Sequence, residues 1–107
     1  MTQEVDIAIS RGASDKDVIN AIDLACREFG LSPISKGSLS KYPGCTHWHY
    51  KLDSQPGTLE LTYWPTAKRA WFSLRDNRRA SWMDALLPQL KEDIERWMIA
   101  TRSELRA

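Results

Sequence analysis

The stretch from Cys45 to Arg75, CTHWHYKLDSQPGTLELTYWPTAKRAWFSLR, constrains the fold of this chain more than any other, because three short alternating runs in it are separated by two turn signals. Runs that alternate apolar and polar residues sit on pleated strands with one face buried. Pro56-Gly57 and the tip Pro65-Thr66-Ala67-Lys68 supply the turns. The stretch therefore predicts a three-stranded antiparallel meander.

Alternation assigns the faces. Trp48, Tyr50 and Leu52 of the first run, Leu59, Leu61 and Tyr63 of the second, and Ala70, Phe72 and Leu74 of the third must share the buried side. The simplest register pairs Leu52 with Leu59, Tyr50 with Leu61 and Trp48 with Tyr63; the second hairpin pairs Tyr63 with Ala70 and Leu61 with Phe72. The opposite face then carries His47 beside Trp64 and Arg69, His49 beside Thr62 and Trp71, Lys51 beside Glu60 and Ser73, and Thr58 beside Arg75. Glu60 is expected on that uncovered face, and Glu60→Gln to be tolerated.

The flanks supply a strand and two helices. Glu4 to Ser10 alternate, with Val5, Ile7 and Ile9 on one side, which predicts a half-buried edge strand. Ser14 with Asp17 three residues later predicts a helix start, followed by a stripe of Val18, Ile19, Ile22, Ala25, Cys26 and Phe29 and a stop at Gly30. Ser32 to Gly44, rich in Ser, Gly, Pro and Lys, reads as loop with at most a short extended piece around Ile34 to Leu39. Ser81 with Asp84 predicts a second helix, with the stripe Met83, Leu87, Leu90, Ile94, Trp97, Met98 and Leu105; Pro88 inside it predicts a kink or a fresh start near Leu87. The order β-α-β-β-β-α with two singly striped helices predicts a two-layer α+β sandwich, a single domain over residues 1–107, with both helices on one face of an antiparallel sheet.

Composition narrows the class. At 107 residues, 42% hydrophobic and 27% charged, the chain can bury one core and has no apolar run near the ~20 residues of a spanning helix. Acids near the start of MTQEVDIAIS and two cysteines suited to reduced thiols set a cytoplasmic expectation. A net charge of +1 argues against strong nonspecific nucleic-acid binding.

Several residue groups point to chemistry. His47 and His49, two apart on a strand, point the same way and can chelate one ion with Glu60 as third ligand; the predicted register places Glu60 against Lys51, so the expectation is no metal and no cofactor. Cys45 and His47 share a strand side, but no orienting third group or oxyanion site accompanies them, so Cys45 reads as a free loop cysteine. Arg75, Arg78 and Arg79 gather near the second helix's N-terminus and could hold phosphates. Trp64 and Trp71 fall on the face no helix covers: either they form an open contact surface, or the Ser32 to Gly44 segment with Tyr42 folds across them.

Two functions follow as expectations. The first is a noncatalytic binding module whose open sheet face, through His47, His49, Trp64, Trp71, Arg75, Arg78 and Arg79, contacts a protein partner, a second copy or nucleic acid. The second is a small enzyme or a ligand- or metal-binding protein centred on His47, His49 and Glu60.

Overall fold

A computed structural model of the chain describes the backbone of residues 1–106 and side chains through residue 99. The elements run β1 (Thr2–Ile7), α1 (Asp15–Glu28), β2 (Leu31–Gly37), β3 (Thr46–Leu52), β4 (Leu59–Trp64), β5 (Arg69–Arg75) and α2 (Ser81–Arg106). The five strands form one antiparallel sheet in the order β1-β5-β4-β3-β2. The architecture is the expected α+β sandwich with one more strand than the sequence predicts. No helix among the described residues is long and apolar enough to cross a membrane.

The apolar face of the meander is the core floor. Trp48, Tyr50, Leu59, Leu61, Ala70, Phe72 and Leu74 are buried there under Val18, Ile22, Ala25 and Cys26 of α1 and Met83, Leu90, Ile94 and Met98 of α2. Leu105 lies outside the residues whose side chains are described. Ser14 caps α1: its Oγ accepts from Asp17 N at 3.1 Å while Asp17 Oδ2 accepts from Ser14 N at 2.9 Å, a reciprocal pair that satisfies two otherwise orphaned donors.

Four local expectations are corrected. β1 spans Thr2–Ile7 and pairs antiparallel with β5, so it starts two residues before the alternating run and ends three before its end. β2 occupies part of the segment read as loop; only Leu31 of it is buried, so nothing selects alternation in its sequence. Its Pro33 is tolerated because the strand is an edge, and the pairing jumps from Pro33↔Tyr50 to Ser35↔His49, leaving Ile34 as a bulge. α2 runs unbroken through Pro88, since Pro88 and Asp84 both face solvent and water can take the carbonyl that loses its donor. Asp84 is not a capping partner of Ser81; it accepts from Arg79 Nε at 3.3 Å and from Arg79 Nη2.

The first hairpin is two residues out of the predicted register. Tyr50 pairs with Leu59, Trp48 with Leu61 and His49 with Glu60, whereas the second hairpin pairs as expected. A shift of two keeps every side chain on its face, so alternation alone cannot distinguish the registers. The turn decides it. Gly57, at φ +96°, lies so close to the start of α2 that a Cβ there would meet Met83 Cε at 2.7 Å and Arg78 O at 2.8 Å. Thr58 N donates to Arg78 O at 3.0 Å and Trp82 Nε1 to Pro56 O at 2.8 Å. Residues 51–58 thus lie outside the β3–β4 ladder, with Pro56 to Thr58 pinned against the start of α2; the loop is two residues longer than predicted, which slides Glu60 along β3.

Candidate functional site

On the sheet face away from the helices, the shift brings Glu60 opposite His49 and Thr62 opposite His47. Glu60 lies on the central strand with only 1% of its surface exposed, contrary to its expected place on an uncovered face. Its two oxygens are divided. Oε1 lies 3.1 Å from His47 Nε2 and 3.4 Å from His49 Nε2. Oε2 lies 2.9 Å from Arg75 Nε and accepts from Arg78 Nη1 at 3.3 Å. The two imidazoles meet each other at 3.1 Å between Nε2 atoms, and His47 Nδ1 lies 2.7 Å from Thr62 Oγ1. Burial holds His47 below the ordinary imidazole range against the upward pull of Glu60, so its ring is neutral near pH 7.

Proton placement in the Nε2–Nε2–Oε1 triangle is frustrated. A carboxylate oxygen only accepts, and each Nε2 carries at most one hydrogen. If both nitrogens are protonated, two N–H groups face each other; if one is, the bare nitrogen faces the carboxylate; if neither is, every edge sets acceptor against acceptor. While Glu60 is ionised, at least one edge sets like against like.

A cation inside the cluster removes that conflict, because all three atoms then act as lone-pair donors. Three ligands at ~2.0–2.1 Å from a tetrahedral ion stand about 3.3 Å apart, and the observed edges are 3.1, 3.1 and 3.4 Å. The surroundings have the form of an outer shell for such a site. Thr62 fixes the His47 ring from its far nitrogen, and the two guanidiniums fix the far oxygen of Glu60. Two imidazoles and one carboxylate are a donor set for zinc, iron, cobalt or nickel, not for magnesium or calcium, which prefer oxygen.

Beside His47 opens a cleft of about 230 Å³, lined among others by Lys41, Tyr42, Thr62, Trp71, Ser73 and Arg75. One wall is the segment after β2. Tyr42 sets its ring 5.0 Å from Trp64 and 5.1 Å from Trp71, and Trp64 Nε1 donates to Pro43 O at 3.0 Å. Cys45 ties that segment down, its Sγ accepting from Leu39 N at 3.3 Å. Cys26 and Cys45 are both buried free thiols.

The predicted site residues therefore divide. His47, His49, Arg75 and Arg78 converge on Glu60. Trp71 is 1% exposed, held between Tyr42 and the Arg69 guanidinium 4.3 Å from its ring, and Trp64 is half-buried, so the two do not form an open aromatic face. Arg79 turns away to Asp84 and does not act together with the other two arginines. Sequence reasoning did not single out Thr62, Ser73 or Lys41 as site residues; isolated hydroxyls and a loop lysine carry no spacing signal until the register is known.

No protein-family profile matches the chain, and neither a curated protein nor a solved structure is similar to it. The functional reading rests on the geometry alone.

Proposed function

We propose that the chain is a metal-binding protein that holds one divalent first-row transition-metal ion on His47 Nε2, His49 Nε2 and Glu60 Oε1. The observation that carries this reading is the triangle of three donor atoms at tetrahedral spacing, frustrated for every arrangement of protons that leaves Glu60 ionised. Neutral His47 is the form that can ligate, since an imidazolium has no lone pair to give. His49 is 28% exposed on its side chain, which keeps one side of the cluster in contact with water. The ion's fourth position would lie on that side, open to water or a small ligand.

With three protein ligands and one exchangeable position, the ion would act as a Lewis acid or lower the pKa of a bound water. Arg75 and Arg78 keep the Glu60 carboxylate turned toward the histidines, and Thr62 keeps Nε2 of His47 turned toward the ion. The reading as a macromolecular contact face has less to support it. Trp71 is covered by Tyr42, Arg79 is paired with Asp84, and Arg75 and Arg78 both spend one nitrogen on Glu60.

Calorimetric titration of chelator-treated protein with Zn²⁺ tests the proposal. One equivalent should bind, and His49→Ala, which alters a partly exposed residue and leaves the core intact, should abolish that binding. Equal zinc affinity in His49→Ala and the parent would refute it.

A further inference from the structure

The cleft beside His47 carries a second feature that the metal site does not use. Arg75 Nε is paired with Glu60, and its two terminal nitrogens make no hydrogen bond or ion pair among the described residues. Lys41 has no carboxylate partner among the described residues and lies 5.5 Å from the centre of the Tyr42 ring. Ser73 lies on the same strand face as Arg75, two residues earlier, and its hydroxyl makes no hydrogen bond among the described residues. All three line one cleft. The only acid lining it, Glu4, is engaged by Arg69 Nη2 at 3.0 Å. The cleft thus gathers a guanidinium that is paired with Glu60 through one nitrogen only, an ammonium without a carboxylate partner among the described residues, and a hydroxyl.

We propose that this cleft binds a phosphate group, free or as part of a small monoester. The guanidinium of Arg75 has two terminal nitrogens left to face two oxygens, and a planar carboxylate would be used up by that fork. A tetrahedral phosphate has further oxygens, and Lys41, from the segment after β2, and Ser73, from β5, supply donors for them. The volume of about 230 Å³ is below the ~300–1,000 Å³ of sites that enclose a drug-sized molecule, so the ligand is small. The site does not depend on the ion, because none of its three donors belongs to the triangle.

Titration of chelator-treated protein with inorganic phosphate at low ionic strength, followed by calorimetry with sulfate and acetate as comparators, tests it. Phosphate should bind saturably at one site, with Lys41→Ala and Ser73→Ala each weakening it about tenfold, as the loss of one hydrogen bond to a charged group implies. Lys41 is exposed, so its truncation should leave the fold intact, and weakened phosphate binding in that variant cannot be assigned to unfolding. Absence of saturable binding at millimolar phosphate, or unchanged affinity in both variants, would overturn the site. Acetate binding as tightly as phosphate would overturn its assignment to a tetrahedral anion. Because the ion is removed throughout, the result is separate from that of the zinc titration.

Discussion

Glu60→Gln separates the buried-carboxylate account from the uncovered residue expected from sequence. Glutamine keeps the volume on the central strand. Its amide oxygen can still accept from Arg78 and face Arg75, and its NH₂ can donate to a bare Nε2 of His47, so few hydrogen bonds are lost outright. What disappears is the charge. The arginine side chains are 48% and 42% exposed, so water recovers most of their solvation and each weakened ion pair contributes only ~0–1 kcal/mol. With some loss at the histidine side, the metal-free protein should be destabilised by about 1–2 kcal/mol, or roughly 4–8 °C in melting temperature per kcal/mol. Glu60→Ala also opens a void and leaves the histidines without their acceptor, and should cost about 3–5 kcal/mol. Zinc should then distinguish ligand from spectator: at 100 times its Kd it should stabilise the parent by ~2.7 kcal/mol, and the Gln variant far less. Urea melts followed by circular dichroism, with chelator and with zinc, provide all of these values. A Glu60→Gln protein as stable as the parent in chelator, and equally stabilised by zinc, would refute the reasoning.

Gly57→Ala should destabilise by about 2 kcal/mol or more in the same melts, since it forces a side chain to φ +96° and into Met83 and the Arg78 carbonyl; a neutral result would contradict the docking that sets the β3–β4 register. Cys26, fully buried beside Tyr50 with its thiol pushed up to about 12 by burial, should resist a thiol-specific chromogenic reagent at pH 8 in the folded protein and react once guanidinium is added; rapid modification in the folded state would contradict its placement.

The fold was largely legible because the residues that make the core repeat at strand and helix spacing. Leu59, Leu61, Phe72 and Leu74 alternate, Val18, Ile22, Ala25 and Cys26 follow a helical stripe, and all of them are buried where that spacing places them. β2 was not legible because its residues after Leu31 face water, and a strand without a buried face leaves no apolar period to read. The site lay one step further off. Its members were visible as a pair of histidines, a glutamate and two of three clustered arginines, but which of them meet depends on a register that alternation fixes only in steps of two. Pro56 and Gly57 marked the turn; that the turn is pinned to Arg78 and Trp82 follows from tertiary contacts 20 or more residues away, which no local pattern encodes. The covering of Trp71 by Tyr42 likewise depends on a segment whose own sequence reads as loop.

Cobalt is the most direct probe of the central claim, because its visible absorption reports the geometry and donor set of the site as well as its occupancy. Titrating chelator-treated protein with Co²⁺ should develop the intense visible bands of a four-coordinate ion, saturating at one equivalent, displaced by Zn²⁺, and lost or reshaped in His47→Ala, His49→Ala and Glu60→Gln. A flat spectrum at saturation, or the same bands in all three variants, would contradict a metal centre at His47, His49 and Glu60.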